Sequence, residues 1–217
     1  MKVAIGVLAK APVAGQVKTR LAATVGNRAA CFFYQQMCHA VVGVAAQVDA
    51  DRLTVWYTPQ RHPFFWELKR RYRTELKAQP PGHLGQRLNA VAKEEICSAD
   101  VVLLIGADAV GLTVGHFRQA VQQLEAGADV VVAPAGDGGY TLIGLRQTPK
   151  RVFQQIPWGS AGVMTATRAQ CRSAGLILTP VSPAGDLDTR RDLKAWQQRK
   201  GSRFFWHKAM GSRYDGA

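Results

Sequence analysis

"KVAIGVLAKAPVAGQVKTRL", Lys2 to Leu21, joins an apolar run to a segment carrying Lys10, Lys18 and Arg20. From Lys2 to Ala9 apolar residues succeed one another without polar alternation, which marks a strand covered on both faces. Such a strand belongs to a sheet with helices on either side. The next segment, Lys10 to Val25, reads as a loop at the strand's C-terminal end. Gly15 permits close backbone approach, Pro12 stiffens the turn, and Lys10, Lys18 and Arg20 can neutralise a diphosphate or triphosphate. The spacing matches neither G-x-x-x-x-G-K-[ST] nor G-x-G-x-x-G, so the loop is neither a Walker A motif nor a dinucleotide fingerprint.

The rest of the chain repeats the pattern of strand then helix. Asn27 is expected to cap a helix in "RAACFFYQQMCHAVVGVAAQV", where Ala30, Phe33, Met37, Ala40, Val41 and Val44 recur at helical spacing. "RLTVWYT" (Arg52 to Thr58) predicts a strand, Pro63 to Tyr72 a helix, and Glu75 to Gln79 a short strand. After the break at Pro80, Pro81 and Gly82, "LGQRLNAVAKEEICS" predicts a helix. "VVLLIGAD" (Val101 to Asp108) is a second buried strand that stops on an acid. A helix comes next, with Thr113 as N-cap and Gly127 as stop. "DVVVAPA", "GGYTLIGLR" and "LILTPV" predict further strands, with a helix in "SAGVMTATRAQCRSAG" before the last. Alternation of this kind implies an α/β sandwich with a mostly parallel sheet.

Composition sets the outer bounds. The 217 residues are 47% hydrophobic, enough for the core of one domain, expected over 1–198 with a basic tail over 199–217. Cys31, Cys38, Cys97 and Cys171 show no C-x-x-C pair, and Cys31 and Cys38 suit buried thiols better than a zinc site. With no signal-peptide pattern at Met1 to Leu8 and no membrane-spanning run, a cytoplasmic protein is expected. The net charge of +13 favours anionic partners: nucleotides, nucleic acid, or acidic lipid headgroups met by peripheral membrane contact. Much of that charge lies in "RHPFFWELKRRYR" (Arg61 to Arg73) and "RRDLKAWQQRKGSRFFWHK" (Arg190 to Lys208), which also read as a solvated helix face and a frayed terminus.

Ligands in open α/β sheets sit at the carboxyl ends of the strands. Asp108 ends its strand there, too far ahead of Thr113 to serve as a cap, and is placed for a hard divalent ion. Asp186 and Asp188 in "GDLDT" would share one side of an extended segment, or cap the helix expected from Arg190. Asp137 in "GDGGY" could bind a hydroxyl or act as a base, with Tyr140 packing on a ring; a tight hairpin turn explains the same residues. Trp158 in "IPWGSAG" is a flat wall or a core residue. The five histidines are scattered without ligand spacing.

In order along the chain, "AKAPVAGQVKTRL", "LGQRL", "LIGAD" with "GLT", "DVVVAPAGDGGYTLIGL", "IPW" and "DLDTRRDL" resemble the bacterial glycosyltransferases of GT-A fold and arsenosugar-biosynthesis type, from about Val3 to Trp196. That family belongs to the nucleotide-diphospho-sugar transferase superfamily and is similar to the molybdopterin and 2-phospholactate guanylyltransferases. The resemblance implies a three-layer α/β/α sandwich with a mixed, mostly parallel sheet. It implies a nucleotide held by Ala9, Lys10, Ala11, Pro12, Gly15, Lys18, Thr19, Arg20, Arg87 and Gly106. It further implies Mg²⁺ or Mn²⁺ on Asp108, completed by Asp186 or Asp188, and a second-substrate pocket at Gly138, Gly139 and Tyr140. The chain departs from the family at Ala14 and Val110, where proline is usual, and in "TRRD", where "TPED" is usual.

Two reactions fit these residues. In glycosyl transfer from a nucleotide sugar, a hydroxyl of a small-molecule acceptor attacks the anomeric carbon, with Asp137 as base and the cations on the departing diphosphate. In nucleotidyl transfer, a phosphorylated acceptor attacks a nucleoside triphosphate while Lys18 and Arg20 clamp pyrophosphate. A basic nucleic-acid-binding protein, suggested by aromatics interleaved with cations, leaves the strand-end acids unexplained.

Overall fold

A computed structural model describes residues 1–59, 61–147 and 151–185. In chain order the elements are β1 (Val3–Lys10), α1 (Thr19–Val25), α2 (Asn27–Ala45), β2 (Arg52–Thr58), α3 (Pro63–Tyr72), β3 (Glu75–Ala78), α4 (Leu84–Ile96), β4 (Val101–Gly106), α5 (Val114–Glu125), β5 (Val130–Pro134), β6 (Tyr140–Leu145), α6 (Val163–Ser173) and β7 (Leu178–Pro180). The strands form one sheet in the order β3-β2-β1-β4-β6-β5-β7. Every pairing is parallel except those of β6, which runs antiparallel to β4 and β5. The sheet is therefore mixed and mostly parallel, as expected.

Alternate residues of the central strands feed two cores. Ile5, Val7, Leu103 and Ile105 pack with Cys38 and Val41 of α2, Phe65 and Leu68 of α3, and Phe117 and Leu124 of α5. Ala4, Trp56, Val102 and Leu104 pack on the other face with Leu88, Val91 and Ala92 of α4 and Cys171 of α6. Three layers result. At 25 cal/mol per Å², a buried Leu or Phe stabilises by about 2 kcal/mol, so these facing layers hold the sheet in place.

Local chemistry departs from expectation at the N-terminal segment. The stretch read as a loop contains α1, and Gly26 rather than Asn27 precedes α2; Asn27 is already its first helical residue. Gly26 adopts φ 83°, a turn between two helices that a side chain would resist. Thr113 does cap α5, with His116 Nδ1 accepting from the Thr113 amide at 3.1 Å, and Gly127 ends that helix at φ 108°. Three cysteines are buried, whereas Cys97 is exposed. In α3, Phe64, Phe65 and Leu68 turn into the core and only Trp66 of the "FFW" run stays exposed, so the interleaving of aromatics and cations is mostly an amphipathic helix. No helix among the described residues is long and apolar enough to cross a membrane.

The buried Glu95 ties α4 to β2. One carboxylate oxygen accepts from Trp56 Nε1 at 2.8 Å, and the other accepts from Arg52 Nε at 2.8 Å. Removing the acid strands a buried indole N–H and a half-buried guanidinium. Glu95→Ala is expected to lower stability by about 3 kcal/mol, the low end for breaking a buried pair because Arg52 is partly exposed. Urea denaturation at constant m-value checks this.

Candidate active site

Sheet order reverses between β1 and β4: β2 and β3 extend the sheet on one side, β4 and the later strands on the other. The crevice expected at such a switch point is present. A cavity of about 370 Å³ opens there, bounded by the ends of β1, β2 and β4, the segment from Gln16 to Arg20, and Gln79, Leu84 and Arg87. Its volume lies in the range of small-ligand sites.

Of the sequence-predicted nucleotide residues, Ala9, Lys10, Lys18, Thr19, Arg20, Arg87 and Gly106 line this cavity, as does Asp108. Ala11, Pro12 and Gly15 do not; they shape the loop behind it. The Ala11 amide donates to Thr58 O at 2.7 Å, Cys31 Sγ donates to Pro12 O at 3.0 Å, and Gly15 turns at φ 84°. The Lys10 amide donates to the Tyr34 hydroxyl at 2.8 Å. Burial pushes the Tyr34 phenol well above its ordinary range, so it stays a neutral acceptor for that amide.

Lys18 and Asp108 meet at 2.7 Å. The lysine side chain is 5% exposed and the aspartate 36%, so the pair sits in the crevice wall with the acid toward its mouth. Lys18 precedes α1 with φ 48° and ψ 47°, the left-handed region that a non-glycine residue enters at a cost of about 1 kcal/mol. The basic loop and the strand-end acid, predicted separately, are thus joined by an ion pair.

Asp137, Gly138, Gly139, Tyr140 and Trp158, expected as second-substrate residues, lie outside the cavity wall. β6 runs antiparallel to β4, so it begins, at Tyr140, where β4 ends. Asp137 occupies the preceding turn, where its Oδ1 accepts from the Gly139 amide at 2.9 Å. The hairpin reading of "GDGGY" therefore holds, and Asp137 is exposed on that turn. Gly138 turns at φ 88°, and a Cβ there would lie 2.4 Å from Ala161 O, so the turn fits against the segment before α6 only as glycine. Tyr140 and Trp158 meet edge to face with centroids 6.3 Å apart. Burial raises the Tyr140 phenol, which excludes it as a proton acceptor near neutrality. Among the described residues neither its hydroxyl nor Trp158 Nε1 has a hydrogen-bond partner within 3.5 Å.

Asp186 and Asp188 lie outside the described residues, as does the tail over 199–217. The chain that leads to them is anchored: the Gly111 amide donates to Gly185 O at 2.8 Å, and a Cβ on Gly111 would lie 2.5 Å from the Gly185 backbone. Residue 185 therefore abuts the turn after Asp108. No group of three or more His, Cys, Asp or Glu side chains with metal-site geometry occurs among the described residues. Tyr34 and Gln79 are crevice residues that sequence reading misses. Gln79 carries a usable signal, since it ends a predicted strand; Tyr34 carries none, because it reaches the crevice from the inward face of α2.

No curated protein matches the chain. A protein from Desulfovibrio desulfuricans G20, provisionally named a nucleotide-diphospho-sugar transferase, is 30% identical, with a TM-score of 0.82 over 94% of this chain and 91% of its own. Two more distant structures share the fold. CMP:2-keto-3-deoxy-manno-octonic acid synthetase, complexed with CTP, is 12% identical with a TM-score of 0.60 over 91% of this chain and 97% of its own. Glucosyl-3-phosphoglycerate synthase from Mycobacterium tuberculosis, complexed with Mn²⁺, UDP and glucosyl-3-phosphoglycerate, is 11% identical with a TM-score of 0.55 over 97% of this chain and 80% of its own. Residues 40–160 match the family described as an uncharacterized protein conserved in bacteria, DUF2064. The chain belongs to that family and has the fold of the nucleotide-diphospho-sugar transferase superfamily.

Proposed function

We propose that the chain is a transferase with a nucleotide-activated donor, and that its reaction is glycosyl transfer from a nucleotide sugar to a hydroxyl acceptor. One observation carries this reading: a crevice at the strand-order reversal in which cations of the β1 loop meet a strand-end carboxylate. The motif order resembling arsenosugar-type glycosyltransferases and the 30% identical relative support it.

The charged wall takes the phosphates. Lys18 exchanges its carboxylate partner for phosphate oxygens, and Lys10 and Arg20 add charge at the same wall. As the nucleoside diphosphate departs, these cations meet charge that was shared with the sugar. Asp108 with substrate phosphate oxygens is a fitting donor set for Mg²⁺ or Mn²⁺, which need few protein carboxylates. Asp186 or Asp188 would add the second. When bound, the ion neutralises charge on the diphosphate. Asp137 Oδ2 takes the acceptor's proton, with Gly138, Gly139, Tyr140 and Trp158 bounding the acceptor.

A second reading, nucleotidyl transfer, is favoured by a specific observation: Asp137 does not line the cavity that holds the cations. A phosphorylated acceptor attacking an α-phosphate needs no base, and the same cations would hold pyrophosphate. Product analysis separates the two. Nucleoside diphosphate from a sugar nucleotide supports the first, pyrophosphate from a triphosphate the second.

A nucleotide substrate with Mn²⁺ at about 100 times its Kd is expected to stabilise the protein by about 2.7 kcal/mol, a Tm rise of about 5–10 °C. Asp108→Ala should abolish the part of that rise that depends on Mn²⁺, and full activity in this variant would refute the metal assignment. Lys18→Met is expected to reduce kcat by about 10²–10³-fold, the usual loss for one preorganised charge at a leaving group. Steady-state kinetics at saturating metal measures it.

A further inference from the structure

We propose that the outward face of α3 docks the protein on an anionic lipid bilayer, with Trp66 seated at the headgroup level and Lys69, Arg70 and neighbouring arginines on lipid phosphates. The inference uses no charged residue of the crevice and stands apart from the transferase reading.

Helix α3 buries Phe64, Phe65 and Leu68, so its opposite side is fixed outward. Trp66 stands on that side and is 53% exposed, although an indole brings a large apolar surface that water disfavours. Lys69 and Arg70 follow at three and four positions, the spacing that puts them on the same face, and Lys69 Nζ lies 5.7 Å from the Trp66 ring centre. Arg61, Arg71 and Arg73 are exposed beside them. None of these cations makes an ion pair among the described residues. Of the acids in the same stretch, Glu67 turns toward α2, where His39 Nε2 lies 3.4 Å from its carboxylate, and Glu75 belongs to β3. The face is therefore cationic around a single exposed ring.

That combination complements one kind of surface. Tryptophan settles at the headgroup level of a bilayer, and lysine or arginine beside it is drawn to anionic lipids. Apolar surface also continues from Trp66 into a recess of about 70 Å³ bordered by Tyr57, Phe65 and Leu76, with Arg61 and His62 at its side. Single-stranded nucleic acid calls instead for a basic groove with successive aromatic platforms. Here Phe64 and Phe65 are buried, and the cations lie on the convex outside of a helix. Headgroups can yield around a convex face. Tyr57 at the recess and Thr58 at the crevice are consecutive residues of β2, so a protein docked by α3 holds its crevice beside the bilayer.

The test is sedimentation of the full chain with vesicles of phosphatidylcholine alone, or with about 30% phosphatidylglycerol, in about 0.1 M salt. The anionic vesicles are expected to bind about 10-fold more tightly or better, and to release the protein at about 1 M salt, where the Debye length shrinks from about 10 Å to 3 Å. Lys69→Glu combined with Arg70→Glu should reduce the preference to within about 2-fold, and Trp66→Ala should weaken anionic-vesicle binding about 3-fold. These side chains are exposed, so an unchanged melting temperature reports that each variant is folded. Arg118→Glu combined with Arg172→Glu makes the same change of net charge at exposed positions of α5 and α6, and should keep the preference. Equal binding with and without phosphatidylglycerol would overturn the proposal, as would equal losses in the two charge-reversed pairs. Full binding by Trp66→Ala would overturn the role of the ring. A wild-type chain that ignores both vesicles yet binds a single-stranded oligonucleotide through Lys69 and Arg70 would also overturn it, in favour of a nucleic-acid surface.

Discussion

The candidate site depends on one pairing: β1 lies parallel to β4 with Leu8 opposite Gly106. The two strands are far apart in sequence, so nothing local brings their ends together. Their register does, and the Ala107 amide extends it by donating to Leu8 O at 3.0 Å. Lys10 and Asp108 then leave adjacent strands at the same edge. The segments that follow β1 and β4 leave from neighbouring strand ends, and the cavity opens there, with Gln16 to Arg20 on one side and Ala107 and Asp108 on the other. The crevice is a consequence of topology, and its chemistry is set by which residues stand at those strand ends.

Holding the loop open over this gap requires anchors that do not themselves fill it. Tyr34 and Cys31 of α2 and Thr58 of β2 each take one hydrogen bond from or to the loop backbone. Lys18 can therefore be kept in a left-handed backbone conformation and aimed at Asp108. A buried ammonium without a counterion would be costly, and the aspartate supplies one. In the proposed function, an incoming phosphate would offer Lys18 an alternative counterion and leave Asp108 to take up a hard cation, so that no charge would be stranded at either stage.

Sequence patterning reveals the layers and most elements, because β1 and β4 are unbroken apolar runs and α2 and α5 carry helical periodicity. α1 is not legible: only Leu21 of its seven residues is buried, too little for a 3.6-residue period to register. The basic loop and Asp108 are legible as strand-end residues, but their ion pair is not, since it arises from strand order. Gly15 and Pro12, expected as ligand contacts, lie outside the cavity wall, where Pro12 O accepts from Cys31 Sγ and Gly15 turns at φ 84°. The basic segment at α3 misleads for a physical reason: residues three and four apart share a helix face, so its aromatics turn inward while its cations stay in water.

The edge where β6 begins is built on different physics. β6 starts at this edge because it is antiparallel, so the turn from Ala135 to Gly139 brings backbone and a short acid where the parallel strands bring side chains from their ends. That turn is held by packing: the Met164 amide donates to Gly138 O at 2.9 Å, and Tyr140 leans on Trp158, which in turn meets Phe153. The cationic wall is thus fixed by charge and register, and the β6 edge by turn geometry and aromatic contact. In the proposed transferase, cations that would hold a departing nucleoside diphosphate would hold pyrophosphate equally well, so the bond that breaks would be decided by which atom of an acceptor the aromatic edge delivers.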